Sequence, residues 1–186
     1  MRVEPSSRRY PRPVGSDYGT PAAGDPAWLS AEQQASWRDL MALVMTLPAA
    51  LDAQLRRDAG VNGFEYQVLA ALSEAPDRAL VLTTLAGMTQ GSLSRLSHAV
   101  TRLERGGLVE RRSCIEAGAR RTEARLTASG WEKLQEIAPG HVREARRLVV
   151  DVLTPEQLWA LGEASRLVAE AARAGAPAGC DGDAAC

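Results

Sequence analysis

Apolar residues recur at three- and four-residue spacing from Trp28 onward. Trp37, Leu40, Met41, Val44, Leu47, Leu51 and Leu55 predict one long amphipathic helix, open to a bend at Pro48. After the capping residue Asn62, one side of a second helix carries Phe64, Val68, Leu69 and Leu72, and Pro76 closes it. Thr83 or Thr84 can cap a very short helix through Leu85 and Met88 that stops near Gly91. Ser92 opens the next helix, which runs to about Arg105 and is ended by Gly106 and Gly107. The period then changes. Leu108 to Arg112 reads as extended, a Gly-bearing basic loop spans Ile115 to Thr122, and a second extended run ends in Leu126, which makes a small hairpin with a basic tip. Thr127 or Ser129 starts a long helix bearing Trp131, Leu134, Ile137, Val142, Leu148 and Val149. Thr154-Pro155 starts a final helix to about Ala174. The expected class is mainly α with a small β-hairpin, and no internal repeat appears.

Composition narrows the organisation. Residues 1–27 hold five of the ten prolines and few apolar side chains, so a disordered arm is expected there, and a loose tail is expected over 175–186. Between them the pattern divides into an N-terminal dimerisation helix (28–60), a head (61–127) and C-terminal dimerisation helices (128–174). With 45% hydrophobic residues but one Phe and three Tyr, the core must be aliphatic. No apolar run approaches the roughly 20 residues of a membrane span, and the Arg- and Pro-bearing N-terminus lacks a signal-peptide centre, so a soluble, cytoplasmic protein is expected. Three cysteines and two histidines make neither a disulfide scaffold nor a zinc site, and neither metal nor cofactor is called for. No phosphate loop, nucleophile elbow or convergent acid–base set points to an enzyme.

The net charge of −1 hides an asymmetry. From Gly91 to Thr127 eight arginines face four glutamates, a local excess of about +4, which leaves about −5 for the rest. A basic patch on a weakly acidic body suggests one anionic partner. Two short helices followed at once by a hairpin are the order of a winged helix-turn-helix. At 100° per residue, Leu93, Leu96, Val100 and Leu103 fall on a core-facing arc of the second helix. Ser94, Arg95, His98, Arg102 and Arg105 stand opposite, with Thr101 at the edge. Hydroxyls and guanidinium groups are what phosphates, guanine edges and thymine methyls can bond. Ser92 at the helix start is either a phosphate contact or a plain N-cap. Arg120 and Arg121, expected at the hairpin tip, suit a narrow minor groove.

The run Ser92-Leu93-Ser94-Arg95-Leu96-Ser97-His98 through Gly106-Gly107-Leu108-Val109, then Arg120 and Leu126-Thr127-Ala128-Ser129-Gly130, resembles the MarR (multiple antibiotic resistance regulator) family of bacterial transcription factors. The resemblance extends from about Trp37 to Ala172 and includes Phe64-Glu65-Tyr66-Gln67-Val68-Leu69. It implies a homodimeric winged-helix repressor or activator on a pseudo-palindromic duplex DNA operator, often relieved by a small phenolic or anionic effector. Relatives usually pair an acidic residue with the wing arginine. Here Gly118 and Ala119 stand at those places, so either Glu116 substitutes through a longer loop or the wing is more mobile.

Apolar stripes on the terminal helices exceed what the head can cover, which points to a homodimer. The crevice between those helices and the head is the expected effector site, bordered by Trp37, Met41 and Tyr66 with Arg38 as an anion partner. Cys114 beside Arg111 and Arg112 has the positive surroundings that favour a thiolate, so a redox-sensing regulator is one alternative. The other is a winged-helix module that docks on a protein.

Overall fold

A computed structural model of the chain describes residues 28–116 and 119–174, except the side chains at 114, 116, 119 and 120. The expected arm (1–27) and tail (175–186) lie outside the described residues, as does the outer tip of the wing. The elements are α1 (Ala31–Ala59), α2 (Gly63–Glu74), β1 (Ala79–Val81), α3 (Leu82–Met88), α4 (Leu93–Arg105), β2 (Val109–Glu116), β3 (Ala119–Leu126), α5 (Ala128–Ala145) and α6 (Pro155–Ala174). Among the described residues no helix is long and apolar enough to cross a membrane.

The chain divides into two compact units between Thr46 and Leu47, inside α1. That boundary lies next to Pro48, which has no N–H to give the helix ladder. In the first unit, Ser30 Oγ accepts from Gln33 N (3.2 Å) and Gln33 Oε1 accepts from Ser30 N (2.8 Å). This capping box starts the helix at Ala31, three residues after the expected start at Trp28. Trp37, Val44 and Met45 are exposed in this unit.

The second unit holds the core. Phe64, Val68, Leu69 and Leu72 of α2 pack with Leu85 and Ala86 of α3, Leu96, Ala99, Val100 and Leu103 of α4, Val109, Ala124 and Leu126 of the sheet, and Leu134 of α5. Phe64 is its one phenylalanine, and the rest is aliphatic, as composition requires. A satellite cluster joins Leu55 and Val61 to Ile137 of α5. α2 starts as expected: Asn62 Oδ1 accepts from Glu65 N, and Glu65 Oε2 accepts from Asn62 N (2.8 Å).

Four expectations need correction. A two-stranded hairpin was expected, whereas β1 joins it to give an antiparallel sheet ordered β1-β3-β2, with Ala79 opposite Arg125 and Val81 opposite Glu123. Three residues are too few to show periodicity, which is why β1 escaped the sequence reading. The basic loop from Ile115 to Thr122 is mostly strand, because the ladder continues to the pair Glu116 and Ala119. Residues 117 and 118, between the strands, lie outside the described residues. Arg120 and Arg121 therefore stand in β3, opposite Ile115 and Cys114, and not at the tip. Finally, Val81 precedes α3 and makes no side-chain cap bond, so neither Thr83 nor Thr84 caps it. The chain passes from strand to helix without a polar residue between.

The wing leaves through a tight junction. Thr127 N donates to Leu108 O (3.1 Å), Thr127 Oγ1 donates to Gly107 O (2.7 Å) and accepts from Gly130 N (3.0 Å). One threonine thus caps α5 and ties it to the end of α4. A Cβ on Gly130 would stand 2.0 Å from Leu108 O, so only glycine permits this approach. Gly107 has φ +70, a left-handed turn out of α4 that favours glycine. Beyond α5 and a π-type turn at Arg146–Val150, α6 opens with a third capping box, between Thr154 and Gln157. None of its residues is buried.

Candidate nucleic-acid interface

Ser92 caps α4 by accepting from Arg95 N at 3.2 Å, so that hydroxyl is occupied by the helix itself. Leu96, Ala99, Val100 and Leu103 are buried. Leu93, placed on the core arc by the sequence reading, is instead 54% exposed. Ala99 shifts the centre of the buried arc, and Leu93 lies about 70° from that centre at 100° per residue. Ser94, Arg95, His98, Arg102 and Arg105 are all exposed, as the pattern required.

Two of these arginines rest on α2. The Arg95 guanidinium stacks over the Phe64 ring, 4.2 Å from its centroid. A Cβ on Gly91 would come within 2.5 Å of that ring, so the glycine before the cap makes room for the platform. Arg102 Nε donates to Glu65 Oε1 at 2.5 Å, with the carboxylate nearly buried and the guanidinium side chain 55% exposed. Helical spacing cannot show either contact, since Glu65 and Arg102 are 37 positions apart.

An open cleft of about 550 Å³ runs along this side, lined by Arg56, Asn62, Ser92, Ser94, Arg95, His98 and Arg102 together with Asp52 and Phe64. Asp52 offsets part of its cationic lining, because the carboxylate stays ionised and pairs with Arg56. Its carboxylate accepts from Gly63 N (2.7 Å) and from Arg56 (2.6 Å), and those bonds hold it below the usual carboxylate range. Arg56, a residue that the reading of α4 and the wing did not reach, also lines the cleft, with its charge balanced by Asp52.

On the other flank, Arg111 of β2 binds back to α4. It pairs with Glu104 and donates to Ser97 O (2.9 Å) and to Thr101 Oγ1 (2.9 Å). Thr101 also donates to Ser97 O (2.8 Å), so its hydroxyl is spent within the protein and its methyl is what remains for a partner. Glu104, the one acid within α4, is neutralised by the same clamp. Arg121 is exposed on β3, and the side chains of Arg120 and Cys114 lie outside the described residues.

No protein-family model matches the chain, and no curated protein does. Solved structures do. The chain is 45% identical to Sco3205, a MarR family transcriptional regulator from Streptomyces coelicolor solved in complex with DNA, over 80% of this chain and 92% of that one, with a TM-score of 0.75. It is 36% identical to AbsC, a MarR family transcriptional regulator from the same organism, over 80% and 99% of the two chains, again at 0.75. The chain belongs to the MarR family of transcriptional regulators. The transcriptional regulator BldR from Sulfolobus solfataricus, 19% identical over 75% of this chain and 96% of its own, shares the fold at a TM-score of 0.62.

For the effector site expected of a MarR regulator, the second unit offers a cleft of about 530 Å³. Its lining includes Leu47, Leu51, Leu55, Phe64, Tyr66, Arg95 and His141. Tyr66, one of the four residues named for that site, lines this cleft. Its ring lies 4.4 Å from that of His141, and burial raises its phenol pKa. Trp37, Arg38 and Met41 do not line this cleft; they belong to the first unit, where Trp37 borders a shallow groove with Leu29 and Leu40. His141, 75 positions after Tyr66, was missed because nothing local links the two.

Proposed function

We propose that the chain is a sequence-specific DNA-binding regulator that grips a pseudo-palindromic operator as a homodimer. α4 enters the major groove and the β2–β3 wing follows the adjacent minor groove. The observation that carries this reading is the exposed face of α4: Ser94, Arg95, His98, Arg102 and Arg105 project outward, while the neighbouring acids Glu65 and Glu104 are each paired to an arginine. That Sco3205, 45% identical, was solved with DNA supports it. Ser92 serves as cap, with the N-terminal amides of α4 left to meet a phosphate. Thr101 contributes its methyl, and Arg120 and Arg121 contribute charge from the wing. The role is regulatory and not catalytic, and a cytoplasmic location goes with it.

Dimerisation is argued from what each unit leaves uncovered. Trp159, Leu167 and Val168 of α6 are 72%, 57% and 56% exposed, and α1 leaves Trp37 and Val44 open in the first unit. Apolar surface of this kind marks an interface, and a two-fold axis would present α4 to successive major grooves about 34 Å apart. The dimer acts as a repressor released by a small phenolic or anionic effector, with the cleft at Tyr66, His141 and Arg95 as its seat.

Selection of bound duplexes from a random pool, with light scattering on the free protein, tests this reading. Two half-sites one helical turn apart and a dimeric mass are expected. A folded monomer at micromolar concentration, or recovery of no preferred sequence, overturns it.

A further inference from the structure

We propose that Glu65 of α2 is a specificity-determining positioning residue, which holds Arg102 by its Nε so that the guanidinium presents its outer edge to a guanine in the major groove. The inference rests on the DNA-reading role proposed for α4. Its own ground is the way Glu65 is pinned. Oε2 accepts from Asn62 N at 2.8 Å and Oε1 accepts from Arg102 Nε at 2.5 Å, with the side chain 9% exposed. The helix turn that carries Glu65 is itself fixed, because Asp52 accepts from Gly63 N at 2.7 Å. Both carboxylate oxygens are therefore committed, and the carboxylate has no freedom to follow a moving guanidinium.

An arginine has five N–H donors in a rigid plane. With Nε taken by Glu65, the four Nη donors are left, and the two on the outer edge can bond guanine O6 and N7. A side chain already held loses less rotamer freedom on binding than a free surface arginine. The carboxylate also cancels most of the attraction Arg102 would exert on phosphates. Glu65 thus trades general affinity for discrimination. Arg95 shows the alternative arrangement: it stacks on the face of Phe64, and a stacked guanidinium can turn about the ring normal. That suits a phosphate clamp more than a base reader.

The test compares affinity for a duplex recovered by random-pool selection with affinity for an unrelated duplex of equal length. Proteins are the wild type, Glu65→Gln, Arg102→Ala and the double variant. Gln keeps the capping box of α2, and equal unfolding midpoints check that the fold stands. In Glu65→Gln the ratio of the two affinities should fall about tenfold, as expected for loss of one ordered base contact, while binding to the unrelated duplex holds or rises. In the Arg102→Ala background the same substitution should leave the ratio unchanged and raise both affinities, since it removes an unpaired acid facing DNA. A Glu65→Gln ratio equal to wild type, with Arg102→Ala lowering it, overturns the proposal and leaves the role of α4 intact. An equal fall of the ratio in both backgrounds also overturns it, because Glu65 would then act through the fold. If Arg102→Ala itself leaves the ratio at the wild-type value, the placement of α4 fails first, and that result is separate from the others.

Discussion

Along α4, Arg95 and Arg102 are braced against α2, one on the Phe64 ring and one on the Glu65 carboxylate. In the wing the bracing is at the base. Arg111 clamps β2 to Glu104, Ser97 and Thr101, and Thr127 ties the end of β3 to Gly107 and Leu108, whereas farther out Ile115 is 83% exposed. A side chain fixed by long-range contacts meets its partner with its geometry set. One on a projecting ribbon contributes chiefly charge. On the function proposed above, Arg102 is the discriminating side chain of α4, while Arg95 and the wing chiefly attract.

The largest expected effect breaks the junction both parts share. Gly130→Ala would put a Cβ 2.0 Å from Leu108 O, so α5 must shift off the end of α4 and the exit of β3. Destabilisation of about 3 kcal/mol is expected, read from urea unfolding. Gly162→Ala, in α6, meets nothing within 4 Å and should stabilise by about 0.5 to 1 kcal/mol. Wild-type midpoints for Gly130→Ala would show that the junction has slack.

Next come the braced arginines. Arg95→Ala and Arg102→Ala should each cost about 1 to 3 kcal/mol of operator affinity, the second more, because it leaves the Glu65 carboxylate uncompensated beside the DNA. Binding unaltered in both variants would mean that this face of α4 does not read DNA.

This difference between the two parts also marks where the sequence was informative. The helix order, the caps at Asn62, Ser92 and Thr127, and the outward face of α4 follow from spacing within a few residues, and each is found. The family resemblance rested on the same local stretches, the α4 run and the Leu126-Thr127-x-x-Gly130 exit, and its physical basis is the Thr127 and Gly130 junction. What escaped was non-local: Glu65 beneath Arg102, Phe64 beneath Arg95, His141 against Tyr66, and β1 completing the sheet. Leu93 failed for a subtler reason, since a leucine at the edge of the apolar arc looks buried until Ala99 is counted with the core.

The wing tests the opposite case. Replacing Arg120 and Arg121 together by alanine should weaken binding to operator and random duplexes alike, by about 1 kcal/mol, and make the salt dependence shallower by about one unit per lost phosphate contact. A loss confined to the operator would show that the wing discriminates too, and would erase the contrast with α4.

The smallest effect expected concerns the cleft behind α2, on the braced side. His141 faces the Tyr66 ring and places Nδ1 3.4 Å from Gln54 Oε1. Burial holds its pKa below the ordinary 6.5, so the folded chain keeps the imidazole neutral while the unfolded chain takes up a proton sooner. The stability attached to the neutral ring is present in full above pH 6.5 and is lost as pH falls through the lowered folded value. The unfolding midpoint should therefore decline on acidification from about pH 7 to about pH 5, and His141→Gln should flatten that part of the curve. The histidine also lines the proposed effector cleft, so the same protonation should change how an anionic effector binds there. If His141→Gln keeps the wild-type slope, other groups set the acid limb, and His141 takes up its proton in the folded chain as readily as in the unfolded one.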